Sequence, residues 1–445
     1  MSVSAVRGVT MRWVCRFRCS AFLRASLCIV PIACMAAALL AAPGLRWLDD
    51  QTRWTLLGFG AEGARAAVGA LASSLLTFIV FAFSIILLAV QMASGQLSPR
   101  IIRWIFESRS AKATLGVFVF SFTYAVAALG RIEERVPQLP VLVAILSSLG
   151  SVALFLYLIQ EVSRNFRPVV ILARVADDTR RVIERIYPRR FSPQGGGRPE
   201  PGLDPALAER SITHGGASGY LLDFDRSGLI DIGARAGCVI ELVPQSGDFV
   251  AHDAALFRLY GTGAETVRED SLRRCVALGH ERNLENDPAF GLRILADIAI
   301  KALSPTINDP TTGVLAIDQL QHLLRTLGQR QLDAAANRDA SGAVRLVYRT
   351  PGWEDFVLLA VTEIRLCGAA SPQVTRRLQA MLDQLAPEVP AERARTLRQE
   401  MARLRRTIDA AFSDPEDRSL AGVGDLQGFG SRLWTGEPGR HSNAG

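Results

Sequence analysis

Two matching Asn-Asp-Pro triplets mark the part of the chain where acidic and basic side chains have the types and spacing to act together. The triplets Asn286-Asp287-Pro288 and Asn308-Asp309-Pro310 begin 22 residues apart. Carboxylates and a guanidinium held in one pocket can bind a ligand or exchange protons with it. One hypothesis is therefore a polar cleft formed by these residues: Asp287, Arg293, Asp297, Lys301, Asn308 and Asp309.

Helix capping explains the same triplets without any cleft. An aspartate before a helix accepts hydrogen bonds from free N–H groups, and proline suits the first helical position. The triplets therefore predict helices over residues 288–303 and 310–328, and Asp297 and Lys301 have the spacing of a surface ion pair. No nucleophile is paired with a base in this sequence, so the chain is not expected to be an enzyme.

A second group of small and polar side chains lies in the longest uncharged run of the chain, the 34 residues from Ala66 to Pro99. These side chains recur every seven residues and so form one stripe along a helix. The heptad stripe consists of Gly63, Ala70, Thr77, Ser84, Gln91 and Ser98. A stripe of this kind either lines a passive pore or lets helices pack closely in a membrane, and both interpretations stay open.

The elements that would carry the stripe are four apolar segments, each long enough to cross a bilayer. They cover about residues 26–45, 66–92, 113–130 and 139–160. The first segment also has the features of a secretory signal peptide, with arginines before it and small residues near its end. No Asp, Glu, Lys or His lies inside these four boundaries, which disfavours an ion-coupled transporter.

Basic residues are distributed unevenly around these segments. They are most frequent before the first span, between the second and third, and after the fourth, which places both termini and residues 93–112 in the cytoplasm. Apolar residues among arginines at positions 100–109 predict a short helix on the membrane surface. The net charge of +7 comes mainly from arginine, and either genome base composition or attraction to anionic lipid explains it.

The fold class predicted for the whole chain is a membrane domain of four helices followed by an α+β cytoplasmic domain with a small β-barrel-like module and helical hairpins. Residues 161–191 have an apolar stripe that fits an oligomeric coiled coil or one amphipathic helix packed on its own domain. The predicted organisation is a transmembrane domain (1–160), a helical neck (161–191), a linker (192–217), a β-rich module (218–262), an α+β and helical domain (263–412) and a disordered tail (413–445).

The soluble part contains no recognisable site for a cofactor. The segment from Gly247 to Leu256 resembles half of a biotinyl or lipoyl barrel, but no lysine occupies the hairpin tip, so the β-rich module is interpreted as an assembly surface. Cysteine and histidine lack metal-ligand spacing, and the basic clusters lack interleaved aromatic residues, so neither a metal nor a nucleic acid is expected. Further helices are predicted at residues 353–367, 372–386 and 391–411. The last of these has arginines around its circumference, either as solvated charge or for docking on anionic lipid.

Several short motifs together resemble one bacterial family. They are Gly60–Arg65, Gln91–Arg100, Ser218–Tyr220, Pro244–Val250, Asn286–Leu292 and Ala302–Pro310. Over about residues 20–410 the chain is similar to the predicted membrane proteins catalogued as domain of unknown function 2254. The resemblance implies a multi-pass protein of the inner membrane with a cytoplasmic domain, and it implies no activity.

The leading hypothesis is an oligomeric inner-membrane protein whose second span packs around a central axis as a channel-like pore, with a cytoplasmic regulatory domain. Its partners would be the lipid bilayer and further copies of the same chain. The alternative is a membrane-anchored binding or scaffold module without transport activity, which would use the β-rich module and the hairpin at Asn308. No cofactor is expected for either function.

Overall fold

The structure is a computed structural model, and it describes residues 26, 28–52, 58, 60–96, 109–132, 136–165, 167–192, 205–332 and 337–425. The surface helix predicted around residues 100–109 lies almost wholly outside these ranges. The described residues form two compact units, one that ends at Val170 and one that begins at Ile171.

Four apolar helices make up the first unit. They are α1 (Ile29–Thr52), α2 (Ala61–Gln96), α3 (Arg109–Leu129) and α4 (Gln138–Asn165). Each is long and apolar enough to cross a membrane, which agrees with the four apolar segments that the sequence predicts. Half of the most apolar window of α3 is buried in the unit, against at most 22% for the other three. The third span is therefore the central helix of the unit.

Small side chains and one aromatic cluster fill the interior of this unit. Buried alanines from all four helices contribute to the core, and small residues let membrane helices approach closely. Phe78, Phe118 and Phe155, one each from α2, α3 and α4, place their ring centroids 5.2–6.3 Å apart. These rings add edge contacts to the packing of the three helices.

The first helix differs from the predicted span at its end. The apolar pattern predicts an end at Leu45, whereas α1 continues through Asp49 and Asp50 to Thr52. Charged residues were excluded from the predicted span because a lone carboxylate is costly in an apolar environment. Asp49 is nevertheless buried, since it has a hydrogen-bond partner at the start of α4.

The second unit begins within α5 (Pro168–Ile186), at Ile171. The predicted neck continues the fourth span, but α4 ends at Asn165 and a separate helix starts at Pro168, where proline suits the first turn. The apolar face of α5, including Leu172, Val175 and Ile183, is buried. This burial agrees with an amphipathic helix packed on its own domain, the second of the two interpretations of its sequence.

Among the described residues, eight short strands form two open sheets. They are β1 (Arg210–Thr213), β2 (Gly219–Phe224), β3 (Val239–Leu242), β4 (Phe249–Val250), β5 (Ala255–Tyr260), β6 (Val276–Gly279), β7 (Asn337–Arg338) and β8 (Val344–Tyr348). The five-stranded sheet has the order β1-β5-β3-β8-β7, and the three-stranded sheet has the order β4-β2-β6. Strands β3 and β8 are parallel, and every other pair is antiparallel.

The predicted barrel-like module is not confirmed, because no closed barrel forms among the described residues. Strands of residues 218–262 pair with each other, β2 with β4 and β3 with β5, but also with strands outside that range: β2 with β6 and β3 with β8. Part of the predicted linker also forms a strand, since β1 pairs with β5. These partners lie far away in the sequence, so the local pattern of the module does not contain them.

Helices surround and follow the strands. They are α6 (Arg226–Ala236), α7 (Glu269–Arg273), α8 (Pro288–Ala302), α9 (Pro310–Gly328), α10 (Trp353–Cys367), α11 (Pro372–Glu388), α12 (Ala391–Ala411) and α13 (Pro415–Ala421). The last helix lies in the predicted disordered tail. The hydroxyl of Thr375 donates to the carbonyl oxygen of Ala421 at 3.0 Å, and Nε of Arg376 donates to that of Leu420 at 2.7 Å. These bonds hold α13 on α11. The tail from residue 426 lies outside the described residues.

Candidate functional site

Asp287 caps α8, as its position before Pro288 predicts. Its carboxylate accepts a hydrogen bond from the backbone N–H of Phe290 at 3.0 Å. The same carboxylate pairs with Arg282, whose Nη2 and Nε lie 2.6 and 3.0 Å from Oδ2. Burial raises the pKa of Asp287, which is 4% exposed, while the charge of Arg282 acts against that rise. The ion pair and the helix cap together account for a carboxylate in a buried position.

A glycine turn packs directly against this ion pair. Gly247 has a φ of +91°, and a Cβ at this position would lie 2.7 Å from Nε of Arg282 and against Oδ2 of Asp287. A side chain there is excluded by both backbone conformation and space. The structure thus brings together two of the motifs that are distant in the sequence, residues 244–250 and 286–292.

Asp309 is the second predicted cap. Its Oδ1 accepts from the backbone N–H of Thr312 at 3.1 Å, and its Oδ2 accepts from the hydroxyl of the same residue at 2.5 Å. Asn308 before it has a φ of +47°, a left-handed conformation that asparagine adopts more readily than most residues. The N–H of Asp309 donates to Ala302 at 2.8 Å, which closes the turn between α8 and α9.

The residues of the predicted polar cleft are spread along α8. Asp287 begins this 15-residue helix and Asp309 follows its end, so the two carboxylates lie about 22 Å apart along the helix axis. Between them, Arg293 forms an ion pair with Glu363 of α10 at 2.6 Å and lies 4.0 Å from Asp297. The structure therefore places these side chains in caps and ion pairs at separate points.

The heptad stripe faces away from the other helices of its own chain. Five of its members are exposed: Gly63, Ala70, Thr77, Ser84 and Gln91. Ser98 lies outside the described residues. The buried face of α2 consists of other residues: Ala64, Val68, Ala72, Leu75, Ala82, Ile86 and Ala89. The hydroxyls of Thr77 and Ser84 donate to carbonyl oxygens one turn earlier, at 3.3 and 2.9 Å. The stripe is thus a surface that the described residues of the chain leave uncovered.

Buried polar contacts between the helices of the first unit were missed by the sequence analysis. Asp49, only 2% exposed, accepts a hydrogen bond from the backbone N–H of Leu139 at 2.9 Å. Arg65 donates to the carbonyl oxygen of Ile132 at 2.6 Å. Each contact uses a charged residue beyond a predicted span to satisfy a backbone group at the end of another helix. A charged residue within one turn of a span boundary is the signal that could have indicated such contacts.

Further polar contacts lie deeper and at the opposite end of the same helices. The hydroxyl of Ser151 on α4 donates to that of Ser121 on α3 at 3.0 Å, and both are buried. Glu161 near the end of α4 accepts from Ser110 at 2.5 Å and from Asn165 at 3.1 Å. These contacts join α3 to α4 and give the carboxylate a structural role.

Asp223 on β2 is a second carboxylate whose pKa is raised above its ordinary value. Burial raises the pKa of Asp223 to about 6, and the negative charge of Glu285 adds to the rise. The N–H of Phe224, which donates to Oδ1 at 2.8 Å, and the charges of Arg185 and Arg226 lower it. The folded state therefore favours the protonated form of this side chain more than the unfolded state does.

The pH dependence of stability should follow from that difference. The stability that Asp223 contributes to the folded state is fully present below pH 4 and is lost as pH rises through about 6. Between these two pH values the folded state retains a proton that the unfolded state has released. Asp223→Asn should therefore raise the melting temperature at pH 8 and leave it nearly unchanged at pH 4. Thermal unfolding of the full chain in detergent at both pH values measures this; an equal shift at both would contradict the prediction.

Comparison with known proteins matches the chain to one family and to uncharacterised relatives. The family described as "Predicted membrane protein (DUF2254)" matches residues 24–384. Uncharacterised proteins of Mycobacterium bovis and Mycobacterium tuberculosis are each 26% identical over 373 residues, which cover 80% of this chain and 70% of theirs. No solved structure gives a significant match. Among the described residues, no cluster of three or more His, Cys, Asp or Glu side chains has the arrangement to hold a metal ion.

Proposed function

Since the chain belongs to the DUF2254 family of predicted membrane proteins, we propose that it is an oligomer of the bacterial inner membrane in which α2 surrounds a passive, channel-like pore. Both termini lie in the cytoplasm, where the second unit regulates the pore. No catalytic step is part of this function.

The exposure of the heptad stripe is the observation that carries the proposal. Successive residues of an α-helix are about 100° apart around its axis. Ser84 lies two positions from both Ala82 and Ile86, so its side chain points about 160° away from these buried residues of the packing face. Ala70 has the same relation to the buried Val68 and Ala72, so this part of the stripe is directed away from the described helices of the first unit.

A second copy of the chain is the partner that best suits this surface. Small side chains let helices approach closely in a membrane, where interhelical hydrogen bonds also contribute. Lipid can cover glycine, alanine and a hydroxyl bonded to its own helix, but it cannot satisfy the amide of Gln91, which is exposed. A ring of α2 helices would place these side chains along one axis, in contact with each other or with water.

The charged residues of the spans support a passive pore over a coupled transporter. A coupled transporter needs an ionisable group that is available to bind and release its ion. Asp49 and Glu161 both lie near helix ends, and both hold backbone or side-chain donors of neighbouring helices. Their hydrogen bonds give them a role in assembling the unit.

Conductance of the reconstituted protein tests the proposal. We expect an oligomer in mild detergent and a steady current in planar bilayers, and Ser84→Leu should reduce that current at least severalfold because it replaces a hydroxyl on the pore axis. Gln91→Leu should have the same effect. Phe83→Leu is the matched control, since Phe83 is exposed but lies about 100° around the helix from Ser84.

Two outcomes would contradict the proposal. Oligomeric protein that conducts no ion under any voltage or salt gradient rules out the pore and leaves the stripe as a packing surface. A monomer in mild detergent and in lipid rules out the assembly itself. Cysteine accessibility at Ala70, Thr77 and Ser84 distinguishes a watered axis from a dry helix contact.

A further inference from the structure

The first turn of α2 carries a carboxylate that the heptad stripe does not include. Glu62 is exposed and forms no hydrogen bond or ion pair with any described residue. Arg65 is the only other charged residue of this helix. Its guanidinium donates to the carbonyl oxygen of Ile132 at 2.6 Å, which holds it near the end of α3. The carboxylate of Glu62 is therefore left unpaired among the described residues.

Glu62 points to the same side of α2 as polar residues much further along the helix. Successive residues are about 100° apart around the axis, so a step of eleven residues changes the direction of a side chain by only about 20°. Ser73 and Ser84 follow Glu62 at such steps, and Gln91, 29 residues after Glu62, also lies within about 20° of it. All four side chains are exposed. We refer to Glu62, Ser73, Ser84 and Gln91 as the polar line.

The polar line lies opposite the face that α2 packs against its neighbours. Glu62 and Ser73 are each followed two positions later by a buried residue, Ala64 and Leu75. Two positions on a helix correspond to directions about 160° apart. In the proposed assembly, where α2 surrounds a central axis, the polar line therefore faces that axis along its whole length.

The length of α2 places Glu62 at a mouth of such a pore. At about 1.5 Å per residue, the helix axis extends about 43 Å from Glu62 to Gln91. The hydrocarbon core of a bilayer is only about 30 Å thick. The carboxylate thus lies where water reaches it, so it requires no partner within the chain. With both termini in the cytoplasm, this is the outer mouth.

We propose that Glu62 makes the pore selective for small monovalent cations. The inference rests on the proposed function, since each copy of the chain contributes one Glu62 to a ring. Rings of Asp or Glu side chains favour cations in channels, and a mouth with walls of low dielectric constant concentrates their field. The rest of the polar line consists of hydroxyl and amide groups and adds no positive charge.

The helix dipole offers a simpler reason for an acidic residue in a first turn, where it is stabilised by the positive end of the helix. That attraction depends on the distance from the helix end and acts equally on every side of the helix. It does not explain why the carboxylate of Glu62 lies in line with Ser84. A measurement of selectivity separates the two roles, because the dipole affects stability alone.

Reversal potentials of the reconstituted protein across a KCl gradient in planar bilayers test this inference. We expect K⁺ to be at least about fivefold more permeant than Cl⁻, and Glu62→Gln to lower that ratio to about one. Glu62→Asp keeps the charge and should retain most of the selectivity. The matched control is Asp50→Asn, which removes an exposed carboxylate from the last turn of α1 and should leave the ratio nearly unchanged.

Chemical modification after assembly provides a second measurement that does not depend on how a variant folds. In Glu62→Cys channels already conducting in the bilayer, a cationic methanethiosulfonate reagent should lower the ratio of K⁺ to Cl⁻ permeability. An anionic reagent of the same kind should raise it. Wild-type channels treated with both reagents give the background from native cysteines.

Each contrary result has a distinct meaning. A pore that conducts K⁺ and Cl⁻ equally, or prefers Cl⁻, overturns the inference and leaves the proposed pore intact. A preference for K⁺ that neither Glu62→Gln nor the two reagents change also overturns it, since the selectivity then arises elsewhere. Oligomeric protein that conducts no ion overturns the proposed function and this inference with it.

Discussion

Asp49→Ala is expected to lower the free energy of unfolding of the membrane unit by about 2 kcal/mol. The substitution removes the acceptor for the N–H of Leu139, at 2.9 Å, and leaves that partly buried donor without its partner at the start of α4. An unsatisfied buried donor costs about 1–3 kcal/mol, and loss of a helix cap costs about 0.5–2 kcal/mol. Both figures describe the loss of the same hydrogen bond, so they are not added. The midpoint of thermal unfolding in detergent should fall accordingly.

Asp49→Asn separates the hydrogen bond from the charge at this position. Asparagine keeps an acceptor oxygen of the same reach, so it should retain most of the stability that alanine loses. Any remaining loss measures the attraction of the carboxylate to the positive end of α4. Asp50, next in the chain and exposed, provides the control: Asp50→Ala should leave the midpoint nearly unchanged. Equal effects at the two positions would show that the buried hydrogen bond has no special importance.

Gly291→Ala is expected to destabilise the second unit by about 1–2 kcal/mol. Gly291 lies in α8 against Thr179 of α5, and a Cβ there would overlap Oγ1 of Thr179 and lie 2.6 and 2.8 Å from its Cγ2 and Cβ. Thr179 is fully buried, and its hydroxyl donates to Val175 at 2.6 Å, so it cannot turn aside. Overpacking of this kind typically costs about 1–3 kcal/mol, and only about 1 kcal/mol returns from the better helix propensity of alanine.

A second substitution tests whether the contact with α5 is the cause. Thr179→Ala removes both of the closest atoms, so the double variant Gly291→Ala, Thr179→Ala should regain a large part of the lost stability. Thermal unfolding of the four proteins of this cycle gives the coupling between the two positions. A double variant whose loss equals the sum of the two single losses would mean that the close approach of α5 and α8 does not determine the effect.

Local signals predicted the helices well. Asp287 and Asp309 each precede a proline, and both act as N-caps at the positions that their sequence indicates. The helices at residues 353–367 and 391–411 have the predicted ends. In each case the determining contacts lie within about one helical turn of the boundary, so the short sequence pattern contains them.

Strand pairing is the part of the fold that the sequence did not predict, and the barrel-like module is not confirmed. The strand from Val239 to Leu242 lies beside β8, which is about a hundred residues away in the sequence, and its register joins Ile240 to Leu346. The turn from Pro244 to Val250 resembled half of a barrel because the hairpin pattern is local. Closure of a barrel depends on partners beyond the hairpin, and here those partners extend two open sheets.

The sequence by itself determined the four long apolar helices, the helix caps and the heptad stripe, because apolar length, Asp-Pro pairs and a seven-residue period are properties of neighbouring residues. Only the tertiary structure decided that the stripe faces away from its own bundle and that Asp49 is buried at the end of α4. The position of Gly247 against Asp287 was decided in the same way. These features depend on which distant segments meet, and long-range packing selects among partners that the local sequence leaves equivalent.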